Sequence, residues 1–225
     1  MIKKYLELIK NIITTLFCHY TMPINLGYNV KFKGIPYILI NRTATVSIGN
    51  NTIINSSNYG YHLNMHSKCK LYADRPNAII NIGNNCRIHG TCIHAYKRIT
   101  IGNNCLIAAN TQIIDGNGHL LSFDYPHNRL NTKDFGKQII IEDNVWIAAN
   151  CIIKQGITIG DGAVIGANSF VNRNVEPFTI VYGTPAKFHK YRFNKEVQYK
   201  IIASAFWNYP PSKAKKILTH LDIVL

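Results

Sequence analysis

A chain of 225 residues can bury one sizeable core, and no break in composition divides it into independent domains. Its 25 Lys and Arg against 11 Asp and Glu give a formal charge of +14, which favours anionic partners. No zinc finger, helix-turn-helix or aromatic-studded RNA-binding pattern accompanies that charge, so nucleic acid is excluded from the expected partners; no apolar run reads as a membrane span, and nothing resembles a signal peptide with a cleavage site.

In the first twenty residues Ile2, Tyr5, Leu6, Ile9, Ile13, Leu16 and Phe17 recur at helical spacing among Lys3, Lys4 and Lys10. The expectation is a helix that packs this stripe on the rest of the protein, with peripheral contact to a membrane surface as the lesser reading.

From residue 46 a comb appears. Ile or Val stands at Ile48, Ile82, Ile88, Ile101, Ile107, Ile113, Ile141, Ile147, Ile153, Ile159, Ile165 and Val171, at six-residue spacing within each run. Three residues after each tooth the residue is Asn or Gly in eleven of twelve cases, the exception being Thr91. Those residues enter the left-handed backbone region at least cost. Each unit is therefore a short strand with one buried aliphatic, then a turn of positive φ. Four residues after a tooth stand Thr52, Cys86, Cys92, Cys105, Thr111, Cys151, Ala163 and Ser169. This is a column of small residues expected to point into a narrow coil, so the cysteines read as structural thiols of a reducing compartment rather than as a disulfide framework. Three units close one triangular coil of eighteen residues.

The comb breaks twice, over about 55–80 and about 115–138, where polar and aromatic residues replace it. Tyr59, Tyr61, His62 and His66 lie in the first excursion; Gly118, His119, Tyr125 and His127 lie in the second. Loops leaving a rigid scaffold are where function concentrates. The repeat stops after Val175. Nine basic residues against three acidic ones follow from Arg173 onward, with two helices expected at Lys195–Ala205 and Ser212–Leu225 on either side of Pro210-Pro211. The expected organisation is an N-terminal helical or irregular segment over 1–45, an all-β coil over 46–177, and a C-terminal extension over 178–225.

The segments IGNNCLIAANTQIIDGNGHLLSFDYP, IIIEDNVWIAANCIIKQGITIGDGAVIGANSFV and YGTPAK resemble the hexapeptide-repeat acetyltransferases, the galactoside, xenobiotic and polysaccharide O-acetyltransferases among them. The tail around Phe206-Trp207 resembles the xenobiotic branch. The resemblance covers roughly residues 80–191 and implies a left-handed parallel β-helix, acetyl-coenzyme A as acyl donor and no metal. It implies His119 as general base, with His127 in reserve, Ala149 as the backbone donor to the oxyanion, and Trp146 framing the acceptor pocket. It further implies Asp115, Tyr125 and Trp146 at the substrate, and Ala149, Ala167, Arg173, Gly183, Thr184, Lys187 and Lys190 along the coenzyme. A histidine suits that task because imidazole titrates near the operating pH while a sugar hydroxyl is a poor nucleophile.

The expected reaction is O-acetylation of a surface polysaccharide or its sugar precursor, acidic sugars such as sialic acid included, by a cytoplasmic homotrimer, with the inner membrane face as the lesser location. An antibiotic is the second acceptor, and an amine on an amino-sugar nucleotide the third. Two rivals from other classes stand beside it: a γ-type zinc carbonic anhydrase, for which His89 and His94 lie five apart with His62 and His66 upstream, and a coil without catalysis.

Overall fold

The computed structural model describes residues 2–130, 134–221 and 223. After helix α1 (Ile2–Thr21), the chain winds through three parallel sheets in strict rotation. The first sheet runs from Asn25–Leu26 to Thr158–Ile159, the second from Lys31–Lys33 to Thr179–Gly183 and Ala186–Tyr191, and the third from Tyr37–Ile40 to Phe170–Val171. This is the left-handed parallel β-helix expected.

The comb forms the core as three stacked ladders. Ile48, Ile82, Ile101 and Ile141 pair in register through the first sheet; Ile54, Ile88, Ile107, Ile147 and Ile165 through the second; Leu71, Ile93, Ile113 and Ile153 through the third. Each is at most 4% exposed, a burial that contributes roughly 1.5–3 kcal/mol per side chain. The turn residues behave as their chemistry requires: Asn51, Asn85, Asn104, Asn110, Asn144, Asn150 and Asn168 hold φ between 57° and 64°. Glycine at the first-to-second corner answers a second demand. A Cβ at Gly83 would lie 2.5 Å from the Gly102 carbonyl oxygen, because successive coils stack there without room for a side chain.

Four expectations need correction. The coil begins at Asn25, not near residue 46, since Leu26, Phe32 and Ile38 already keep the six-residue spacing with a mixed set of apolar residues. The first excursion is shorter than 55–80: strands Lys70–Ala73 and Ile79–Ile82 both belong to the coil. Cys92 does not point inward; Thr91 does, fully buried, because the turn through Gly90 (φ 48°) is one residue shorter than its neighbours. Most consequential, α1 packs the opposite side from the one expected. Thr14 and Cys18 are buried, whereas Leu6, Ile9, Ile13 and Leu16 are 52–61% exposed.

Cys86, Cys105 and Cys151 do fill the coil, each thiol donating to a carbonyl of the next turn (Gly102, Glu142 and Gly166, 3.1–3.2 Å). All six cysteines are unpaired. The chain divides into two compact units, Met1–His189 and Lys190–Leu225. In the second, Asn194 caps helix α2 (Lys195–Ser204) by accepting from the Val197 N–H, and Pro211 opens helix α3 (Pro211–His220), a position where its missing N–H costs nothing. That proline is why the last helix starts one residue earlier than expected.

Candidate active site

The second excursion leaves the third sheet after Gln112–Ile114 and re-enters the first at Ile139–Ile141. Its root is Asp115. Expected among the substrate contacts, this residue is instead fully buried, and its carboxylate accepts the backbone N–H groups of Tyr96 (2.5 Å), Lys97 (2.9 Å) and Arg98 (2.6 Å). Burial raises the Asp115 pKa while these three donors pull it down. With both oxygens engaged on backbone, Asp115 anchors the loop. Asp134 closes the other side, accepting from the N–H groups of Asn117 and Gly136.

Within that frame His119 stands exposed, its Nδ1 2.7 Å from the carbonyl oxygen of Arg129. A carbonyl can only accept, so Nδ1 carries the proton and Nε2 keeps a free lone pair. Arg129 is held in turn: its Nε donates to the Ser122 carbonyl at 2.5 Å, and Ser122 Oγ donates to Asp124 at 2.7 Å. The loop therefore selects one imidazole tautomer, the one able to take a proton outward. Tyr125 is 57% exposed and stacks on His127 at 5.1 Å.

The second-to-third corner supplies the other half of the chemistry. At the equivalent turn position of successive coils stand Ala109, Ala149 and Ala167. The Ala109 N–H meets the Tyr61 hydroxyl. The Ala149 and Ala167 N–H groups have no acceptor among the described residues, while their neighbours Asn150 and Asn168 donate to Ala109 and Ala149 carbonyls at 2.9 and 3.0 Å. The same edge continues to Gly183, whose N–H reaches Ser169 Oγ (3.1 Å), and Thr184, whose hydroxyl donates to the Asn168 carbonyl (3.0 Å). Trp146, 51% exposed, lies on the adjoining second sheet between Leu106 and Val164. The structure thus brings Trp146, Ala149, Ala167, Gly183 and Thr184 together along one edge.

Other expected residues fall elsewhere. Arg173 follows Phe170–Val171 and stands at the third-to-first corner, a whole sheet away from that edge. Lys187 is exposed on the last strand, and Lys190 belongs to the second compact unit. His119 is separated from Ala149 in the same way, since its loop springs from the third-to-first corner.

The first excursion carries Tyr59, Tyr61, His62 and His66, the two histidines being those set upstream in the zinc alternative. It packs on the open edge: His66 N–H donates to Asn110 Oδ1 (2.8 Å) and Asn110 Nδ2 to the Asn64 carbonyl (3.1 Å). Tyr61 stacks on His89 at 4.3 Å, and Asn55 Nδ2 lies 3.0 Å from His89 Nδ1. Burial first, then the charges of Lys33, Arg87 and His62, push the His89 pKa down to about 4, so this imidazole is neutral. His94 is on the third sheet with its own partners, Asp74 (3.4 Å) and the Tyr72 ring (4.4 Å). Among the described residues no three His, Cys, Asp or Glu side chains are grouped as a metal ion would need.

A buried-aliphatic coil, a protruding loop with an oriented histidine and an edge of free amides define the class: hexapeptide-repeat transferases. The profile "Bacterial transferase hexapeptide (six repeats)" matches residues 138–173. The chain is 33% identical over 141 residues to a Lysinibacillus sphaericus protein named "Probable macrolide acetyltransferase", covering 56% of this chain and 77% of that one. To the galactoside O-acetyltransferase of Escherichia coli K12 it is 36% identical over 110 residues, 48% of this chain and only about half, 52%, of that enzyme. Its fold is also that of AntD, an N-acyltransferase from Bacillus cereus solved with dTDP and 3-hydroxybutyryl-CoA, at a TM-score of 0.56 and 21% identity over 81% of this chain and 90% of that one. The chain belongs to the hexapeptide-repeat acetyltransferase family.

Proposed function

We propose that this protein transfers acetyl from acetyl-coenzyme A to a hydroxyl of a surface polysaccharide or of its sugar precursor, with acidic sugars such as sialic acid favoured by the charge of +14. The observation that carries the reading is the His119 tautomer, fixed by the 2.7 Å hydrogen bond from Nδ1 to Arg129. Nε2 takes the proton of the acceptor hydroxyl as its oxygen attacks the thioester carbonyl. The negative charge that develops on that carbonyl oxygen meets a backbone N–H, for which Ala149 is the candidate. Collapse of the tetrahedral intermediate breaks the carbon–sulfur bond, and the proton on Nε2 passes to the leaving thiolate.

The pantetheine arm runs along the Ala149–Ala167–Gly183–Thr184 edge, where small residues leave backbone accessible, and Lys187 meets the phosphates. Arg173, a sheet away within one subunit, reaches a coenzyme only if a second copy brings it there.

The same separation supports a homotrimer. The loop histidine and the free amides lie on different corners of one coil, and in this reading a neighbouring copy brings one to the other. Leu121, Phe123, Leu130 and Phe135 on the loop are 77–100% exposed, an apolar surface suited to such a neighbour. We set the reaction in the cytoplasm, supported by six thiols none of which is paired.

The test is acceptor-dependent thiol release from acetyl-coenzyme A across polysaccharides, sialylated sugars and neutral sugars. A macrolide arm belongs in the panel because of the likeness to the Lysinibacillus protein; turnover confined to that arm replaces the polysaccharide reading with an antibiotic one. Equilibrium sedimentation returning a monomer overturns the trimer.

A further inference from the structure

Helix α1 is amphipathic in the inverted sense. The residues it turns toward the coil are Glu7, Asn11, Thr14, Thr15 and Cys18, a helical stripe of polar and small side chains. Thr15 Oγ1 ties that stripe to strand Lys31–Lys33, accepting from the Phe32 N–H at 3.0 Å. The outward stripe carries nine large apolar side chains between Tyr5 and Tyr20, each 46–84% exposed. A surface helix ordinarily places its apolar stripe against the core; here about half or more of each of these side chains stays exposed in the described chain.

Charge says what covers it. From Met1 to Ala73 there is one acidic residue, Glu7, against eight basic ones: Lys3, Lys4, Lys10, Lys31, Lys33, Arg42, Lys68 and Lys70. Glu7 is itself turned inward and lies 3.7 Å from Lys10. Lys10 stands seven residues from Phe17 and so borders one side of the apolar stripe. The exposed Lys31 and Lys33 border the other, along the groove that Ile12, Leu16 and Tyr20 share with their strand. A second copy laid on this face would bring two basic rims together without an exposed acid to oppose them. No helix of the described chain is long and apolar enough to cross a membrane. We propose that α1 lies in the surface of an anionic bilayer, with Leu6, Ile9, Ile13, Leu16 and Phe17 in the headgroup–acyl boundary and the lysines on lipid phosphates. The enzyme is then held where a membrane-borne acceptor would be presented.

The full chain tests this by co-sedimentation with vesicles of phosphatidylcholine alone and of phosphatidylcholine with phosphatidylglycerol. The expected result is pelleting with the anionic vesicles at low salt and release at high salt. Ile9→Asp with Ile13→Asp abolishes it, while Lys10→Ala and Lys33→Ala each weaken it about fivefold. These positions are exposed, so melting temperature is expected to hold; should the aspartates unfold the chain, the lysine variants still decide. Native protein left in the supernatant overturns the proposal, as does equal pelleting by the aspartate variant or by neutral vesicles. A native oligomer that the aspartates split, with no vesicle binding, overturns it in favour of a second copy.

Discussion

Two corners of the same coil are built from the same repeat and finished differently. At the first-to-second corner the turn position carries Asn50, Asn84, Asn103, Asp143 and Asp161. Each accepts from the backbone N–H of the equivalent residue one coil earlier: Tyr28, Asn50, Asn84, Asn103 and Asp143, at 2.7–2.9 Å. That edge is a continuous ladder of side-chain caps. At the second-to-third corner the corresponding residues are Ala109, Ala149 and Ala167, which have nothing with which to cap. Stacking needs only the turn; the caps are optional, and where they are withheld the repeat presents N–H donors instead of consuming them. An edge that forgoes hydrogen bonds gives up stability and gains a surface able to hold developing negative charge.

The largest effect expected lies with the proposed general base. His119→Ala should lower turnover by two to four orders of magnitude with melting temperature and coenzyme affinity unchanged, measured by thiol release and thermal unfolding. Near-normal turnover would reject the base and bring His127 forward. Next comes an attempt to close the open edge. Ala167→Asn places a carboxamide one coil beyond Ala149, as Asn103 stands to Asn84, and its oxygen should cap the Ala149 N–H. Turnover should fall by about two to three orders of magnitude, as expected for losing an oxyanion donor, with stability the same or slightly higher. If activity survives while the cap forms in a crystal structure, Ala149 is not the donor.

The reverse experiment opens the closed edge. Asp143→Ala frees the Asn103 N–H and should cost about 1.5 kcal/mol, lowering the melting temperature by roughly 3–6 °C without touching turnover. A large loss of activity there would erase the distinction between the edges. The smallest effect is a pH dependence beside the open edge. His89 is neutral in the folded state, with its pKa pushed from 6.5 down to about 4. Its contribution to stability is whole above pH 6.5 and is lost as pH falls toward 4, because the unfolded chain takes up a proton that the folded one refuses. His89→Gln should flatten the melting-temperature profile across that window; an unchanged slope would assign the acid sensitivity elsewhere.

What could be read from residues alone follows the same divide between backbone and side chain. Ile every sixth position with Asn or Gly three later states the coil outright, because burial and positive φ leave few alternatives. The first coil escaped because Leu26, Phe32 and Ile38 hold the spacing without a uniform residue type, and the shift at Thr91 escaped because a one-residue deletion in a turn leaves no mark in the comb. For α1 the periodicity was visible but not its direction: a helical stripe tells which residues share a face, not which face meets the core. Asp115 was misassigned because an acid at the root of a loop looks the same in sequence whether it faces substrate or backbone N–H groups. The alternation of Asn and Asp with Ala at the two corners was open to inspection, but its meaning depends on knowing which N–H each side chain reaches.

Ile101 pairs directly with Ile141 although forty residues separate them, and Ile82 pairs with Ile101 on the other side. The ladder therefore does not register how much chain is extruded between two rungs. Closing a longer loop costs only about 0.6 kcal/mol for each doubling of its length, and Asp115 secures this one at its base through main-chain contacts alone, indifferent to what the tip contains. Such a scaffold can exchange its tip as a cassette. A line of descent, or an engineer, could alter the segment between His119 and Asp134 while the stack beneath kept its register.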